Sequence, residues 1–153
     1  MAHLLVLHGP NLNLLGTREP NVYGTVTMEG INRDLASLAD RFGIGIDFYQ
    51  SNHEGDIIDR LQAARGQSDG IIINPAAYTH TSVAIRDCLA AISIPTIEVH
   101  LSNIHAREEF RHTSLTAPVV MGQISGLGAL GYTLAFHALL EEFAKRGLLA
   151  TES

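Results

Sequence analysis

Apolar and polar positions follow one another along the chain in a strand–loop–helix rhythm. His3–His8 (HLLVLH) is a short apolar run closed by Gly9-Pro10, which predicts a buried strand. Met28–Phe42 sets Ile31, Leu35, Leu38, Ala39 and Phe42 at helical spacing, with Thr27 placed as N-cap and Gly43 as the stop. Ile44–Tyr49 reads as a second strand. Ser51-Asn52-His53-Glu54 has the S-x-x-E form of a capping box and leads into a helix through Ile57, Ile58, Leu61 and Ala64. Gly70–Asn74 (GIIIN) is the continuous β-branched run that a central parallel strand requires. A helix over Val83–Ala91, a strand over Thr96–Val99, a polar loop from His100 to about Pro118, a short strand over Val119–Gly122 and a long helix over Leu127–Lys145 complete the pattern.

Strands separated by helices pair in parallel through right-handed crossovers. Five of them in 153 residues predict one α/β domain over residues 1–153. Its fold is a flavodoxin-like doubly wound five-stranded parallel sheet with helices on both faces. In such a sheet the active site lies at the carboxyl ends of the strands. Gly9-Pro10-Asn11 follows the first strand, Asn74-Pro75 the third and His100 the fourth, so three polar segments converge on one sheet edge.

Composition narrows the function. Hydrophobic residues make up 46% and charged residues 17%, enough for a core with apolar surface left for partner subunits, and disorder is expected only at the last few residues. The net charge of −6 comes without any basic stripe, so nucleic acid is not an expected partner. One cysteine, Cys88, excludes an intrachain disulfide and fits a reducing compartment. Neither a signal peptide nor a membrane span of about 20 apolar residues is visible, so the expected location is the cytoplasm.

Three segments carry candidate chemistry. Gly9–Gly24 (GPNLNLLGTREPNVYG) is long for a βα loop and reads as a lid over about residues 9–25. It brings Arg18 near Tyr23, and a guanidinium favours a phenolate and lowers the phenol pKa toward that of a usable base. The alternative is a packed Tyr23 and a solvated Arg18. In Asn74–Ser82 (NPAAYTHTS), Asn74 and His80 bracket a turn, and Thr81 and Ser82 can cap the next helix, leaving N–H groups for an anion. Equally, Asn74-Pro75 forms only a turn and His80 only a cap. In Glu98–Asn103 (EVHLSN), residues i and i+2 of a strand share a face, so Glu98 can orient the His100 imidazole. Leu101 and Ser102 can donate to a carboxylate. Arg107 and Arg111, four apart on a helical turn, suit its bidentate recognition, unless the REEFR turn is solvated and pairs its charges internally.

Other chemistries fit poorly. The histidines lack metal-ligand spacing, and Cys88 sits on a half-buried helix. Gly126–Gly131 fits G-x-G-x-x-G but falls late in the chain with no acidic ribose partner, so it reads as close helix–sheet packing. There is no P-loop G-K-S/T and no G-x-S-x-G elbow. A non-catalytic module of the same fold also fits badly: a receiver domain needs an acidic pocket and a late-strand lysine, and a flavin carrier needs a Ser/Thr-rich phosphate loop after the first strand.

Together, GPNLNLLGTREPNVYG, NPAAYTHTS, EVHLSN, REEFRH and GQISGLGALGY, in this order, resemble the type II dehydroquinases from about residue 3 to residue 145. The resemblance implies dehydration of 3-dehydroquinate to 3-dehydroshikimate without metal or nucleotide cofactor, in the shikimate pathway or in quinate breakdown, by a dodecamer of four trimers. It implies Tyr23 as the base, Arg18 as its electrostatic partner, Asn11 as holder of a water at the enolate oxygen, and His100, oriented by Glu98, as the acid. It further implies substrate binding by Asn74, His80, Leu101, Ser102 and Arg111, with Asp87 reaching a neighbouring subunit's site. A lysine Schiff base is the other route to this product, and Lys145, near the end of the last helix, is the only lysine.

Overall fold

A computed structural model describes residues 1–17 and 26–150. Its strands are β1 (His3–His8), β2 (Gly45–Gln50), β3 (Gly70–Asn74), β4 (Thr96–His100) and β5 (Gly122–Ser125). They form one parallel sheet in the order β2-β1-β3-β4-β5. That order is the flavodoxin-like one, and its reversal lies between β1 and β3. The helices are α1 (Met28–Phe42), α2 (Glu54–Ala63), α3 (Val83–Ile92) and α4 (Leu130–Lys145).

The two-residue period of the strands divides the core. Leu4, Val6, Ile72, Ile97 and Val99 point to one face, where α1 (Ile31, Leu35, Ala39) and α4 (Ala135, Phe136, Leu139, Phe143) cover them. Leu5, Leu7, Ile71 and Ile73 point to the other, against α2 (Ile57, Leu61) and α3 (Ile85, Leu89, Ile92). Burial on both faces is why GIIIN shows no alternation. Each such aliphatic side chain contributes roughly 1.5–3 kcal/mol.

Local signals set most helix ends. Thr27 accepts from Gly30 N at 3.0 Å and starts α1; Gly43, at φ 68°, ends it. Ser82 caps α3 by accepting from Ile85 N at 2.9 Å, whereas Thr81 only closes the preceding turn.

Three boundaries differ from expectation by more than one residue. The N-cap of α2 is His53, not Ser51: Ser51 Oγ instead accepts from His53 N at 2.9 Å and donates to Asp56, bracing the entry to the helix. The last strand is Gly122–Ser125, not Val119–Gly122, because Pro118 favours a 3-10 turn over Ala117–Val119 and pairing with β4 begins only at Gly122. Finally, α4 starts at Leu130, not Leu127, since Gly126 (φ 86°) and Gly128 (φ 60°) hold a left-handed approach. That approach seats Gly131 where a Cβ would lie 3.1 Å from Val99 Cγ1, so the glycine-rich stretch does serve close helix–sheet packing. Among the described residues no helix is long and apolar enough to cross a membrane.

Candidate active site

The carboxyl ends of β1, β3 and β4 enclose a cavity of about 210 Å³. The β1 and β3 exits are tied backbone to backbone: Gly9 N donates to Asn74 O at 2.7 Å, and a Cβ on Gly9 would sit 2.7 Å from Pro75 O. Only glycine permits that approach. Beyond it, Asn11 adopts φ 69° and donates its N–H to Asn52 Oδ1 at 3.0 Å, which leaves its exposed side chain at the rim of the cavity.

From β3 comes Asn74, 3% exposed, whose Oδ1 accepts from Ala76 N at 3.0 Å. This Asx turn supports Ala76 at φ 52°, a strained value for alanine. The 3-10 turn Ala76–His80 then delivers His80 to the wall. Its Nδ1 donates to Thr113 O at 2.8 Å, because a carbonyl can only accept, so Nε2 remains for the cavity.

From β4 comes the central pair. Glu98 is fully buried and His100 is 5% exposed, and His100 Nε2 lies 2.7 Å from Glu98 Oε2. Around the carboxylate stand Thr79 Oγ1 at 2.9 Å and Gln123 Nε2 at 2.6 Å on Oε2, Ser114 Oγ at 3.3 Å, and Thr116 Oγ1 on Oε1. Burial pushes the Glu98 carboxyl upward, yet the bonds from His100, Thr116 and Gln123 outweigh it and hold the group below the ordinary range. An ionised carboxylate accepts only, so His100 Nε2 carries hydrogen and Nδ1 is the nitrogen left for the cavity.

The chain matches the class II dehydroquinase family model over residues 2–140. It belongs to that family. The family makes it a dehydratase, a hydro-lyase. It is 64% identical to the 3-dehydroquinate dehydratase of Acaryochloris marina, over 90% of this chain and 92% of that one. With the 3-dehydroquinate dehydratase of Halalkalibacterium halodurans it shares 58% identity over 92% and 97% of the two chains. The crystal structure of type II dehydroquinase from Butyrivibrio crossotus superposes with a TM-score of 0.89 at 51% identity, covering 91% of this chain and 97% of that one.

Of the residues singled out in this dehydroquinase sequence, the cavity gathers Asn11, Asn74, His80, His100, Leu101, Ser102, Arg107 and Arg111, with Glu98 behind His100. Arg18 and Tyr23 lie outside the described residues. Asp87 is exposed on α3 and does not line the cavity of its own chain. Arg107 and Arg111 do not share a helical turn: Arg107 is extended (φ −104°, ψ −163°) between 3-10 turns at Ile104–Ala106 and Glu109–Arg111. Both still reach the cavity, because the loop, not a helix repeat, aims them. Arg111 Nε donates to Glu108 Oε2 at 2.7 Å, which holds the Glu108 carboxyl below its ordinary range, and the guanidinium carbon sits 4.9 Å from the Phe110 ring centroid.

Sequence reasoning missed the ring of donors on Glu98. Gln123 was legible in principle, as the cross-strand partner of Glu98 in the β4–β5 register, had β5 been placed correctly. Thr79 sits inside a motif already noted, and Ser114 and Thr116 in a hydroxyl-rich TSLT run. Only folding brings the three to one carboxylate. Also missed were His8 and Tyr132, which pack behind Asn74. Among the described residues no cluster of three or more His, Cys, Asp or Glu side chains could hold a metal ion, and none that is acidic lines the cavity. Lys145 is exposed on α4, 3.5 Å from Glu141.

Proposed function

We propose that this chain converts 3-dehydroquinate to 3-dehydroshikimate and water by trans elimination through an enolate. The observation that carries the reading is the Glu98–His100 pair at a cavity that, among the described residues, offers cations and hydrogen-bond donors but no carboxylate. That lining suits an anionic polyol. Arg111, Ser102 and the Leu101 backbone take the substrate carboxylate, and Asn74 and His80 take its hydroxyls.

A base removes the C2 proton, and the electrons of the C–H bond pass into an enolate at C3. Tyr23, with Arg18 favouring its phenolate, is the base by motif. Asn11, with its amide at the rim, holds a water toward the enolate oxygen. The enolate then collapses, the C1–O bond breaks, and doubly protonated His100 gives the Nδ1 proton to the departing hydroxyl, which leaves as water. Glu98 stays ionised behind it, orienting the ring and offsetting the imidazolium charge. No cofactor enters these steps. Such a reaction serves either the shikimate route to chorismate and aromatic amino acids or quinate catabolism, in the cytoplasm.

We further infer a homododecamer of four trimers. The exposed apolar side chains Leu127, Leu130 and Leu134 beside edge strand β5 support association, and exposed Asp87 is free to enter a neighbour's site. A mass measurement by light scattering tests it, and a monomer at assay concentration overturns it.

To test the activity, purified, chelator-treated protein is mixed with 3-dehydroquinate and the conjugated enone product is followed by ultraviolet absorbance, with and without borohydride pretreatment in the presence of substrate. Turnover that survives both treatments is expected. A folded sample that binds but never turns over the compound would reduce the protein to a ligand-binding shell.

A further inference from the structure

Behind the cavity wall, four polar side chains from four elements form one unbranched hydrogen-bonded chain. Asn74, at the end of β3, donates from Nδ2 to the Tyr132 hydroxyl at 3.1 Å. Tyr132, on α4, lies 3.2 Å from His8 Nδ1 at the end of β1. His8 Nε2 in turn lies 2.7 Å from Asn32 Oδ1 on α1. His8 and Tyr132 are each 1% exposed and neither lines the cavity; Asn74 does.

The hydrogens along this chain have one consistent order. Asn74 Oδ1 is occupied by Ala76 N–H, so its Nδ2 faces Tyr132; a flipped amide would set donor against donor at Ala76. Tyr132 oxygen accepts from Nδ2, and among the described residues the acceptor within reach of its own hydrogen is His8 Nδ1. Nδ1 must then be bare, and Nε2 carries the hydrogen that Asn32 Oδ1 accepts. A hydrogen on Nδ1 would strand the Tyr132 hydroxyl hydrogen in a site closed to solvent.

We propose that His8 and Tyr132 are positioning residues for the reaction: the hydroxyl, held as an acceptor by neutral His8, fixes the Asn74 amide so that its second N–H meets the substrate. The inference rests on the reading of Asn74 as a substrate-binding residue. Neither His8 nor Tyr132 touches substrate, so both act through Asn74. Burial also raises the Tyr132 phenol pKa and lowers that of His8, which keeps both neutral and the order fixed.

A double-mutant cycle separates this role from simple core packing. Steady-state kinetics with 3-dehydroquinate are measured for Tyr132→Phe, Asn74→Ala and the double variant, with thermal melts to show that each folds. Tyr132→Phe is expected to raise KM about 10-fold with kcat within about threefold, as for lost uniform binding. Added to Asn74→Ala, it is expected to change KM less than about twofold. An equal KM factor in both backgrounds overturns the positioning role alone. An Asn74→Ala enzyme with unchanged KM and kcat overturns the substrate-binding assignment and this inference with it. Should Tyr132→Phe fail to fold, His8 supplies the same test. His8→Asn keeps an acceptor where Nδ1 stands and is expected to retain a KM within about twofold of wild type, while His8→Leu raises it about 10-fold. Equal effects of the two substitutions overturn the proposal.

Discussion

Glu98 and His100 stand two residues apart on β4 and meet through a 2.7 Å hydrogen bond, and the carboxylate also accepts from Thr79, Ser114, Thr116 and Gln123. The strand period places the two on one face, and the donor ring fixes the charge that faces the imidazole. His100→Ala is expected to lower kcat by about 10²–10⁴, the usual contribution of a positioned general acid. Glu98→Gln is expected to lower kcat less, because the amide keeps an oxygen that can accept from Nε2 but loses the charge. Rate measurements at saturating 3-dehydroquinate check both; a His100→Ala enzyme with near wild-type kcat removes His100 as the acid.

Acid erodes stability in two windows. The His8 imidazole lies below its ordinary 6.5, mainly through burial and against the opposing Asn32 bond and the Glu29 charge. The Glu98 carboxyl lies below its ordinary 4.5, because its hydrogen bonds outweigh burial. In each case the unfolded chain takes up a proton that the folded chain refuses. The stabilisation is therefore complete above the ordinary value and is lost as pH falls through the folded one. Melting temperatures from pH 7 to pH 5.5 should fall less steeply for His8→Asn than for wild type, and those below pH 4.5 less steeply for Glu98→Gln. Parallel curves would remove the corresponding group from the linkage.

Gly9→Ala is expected to destabilise by about 1–3 kcal/mol through overpacking. The new Cβ meets Pro75 O and Asn74 O, which are backbone atoms and cannot swing aside. Because those atoms set the Asn74 turn, KM should rise as well. Denaturant titration and kinetics test the pair of effects, and a stability within about 0.5 kcal/mol of wild type would show that the turn can yield.

Asp87→Ala is expected to weaken substrate binding or trimer packing while leaving the isolated fold intact, since Asp87 is solvent-facing on α3 and away from its own cavity. Kinetics and light scattering on the same sample decide it. Wild-type values in both reject the intersubunit role.

Tyr23→Phe and Arg18→Ala are each expected to lose most turnover without loss of assembly, by about 10²–10⁴ for removal of a general base. Near wild-type turnover at either position takes that residue out of the mechanism.

What the sequence by itself determined is local. Strand and helix order, the Thr27 and Ser82 caps, the Gly43 stop and the shared face of Glu98 and His100 follow from periods and turn chemistry that operate within a few residues. The ordered motifs were specific enough to indicate the family, and the family model agrees over residues 2–140. Where several local signals competed, the sequence misled: Ser51 resembles an N-cap, Val119 a strand start and Arg107 with Arg111 a helical pair, yet turns at His53, Pro118 and Glu108 prevail.

Only the tertiary structure decided the rest. The carboxylate of Glu98 meets Thr116 and Gln123 from 18 and 25 positions away, and His8 meets Tyr132 across 124. No periodicity encodes such pairs. They exist because a buried polar group must find a partner, and the parallel crossovers of the sheet determine which distant segments are near enough to supply one.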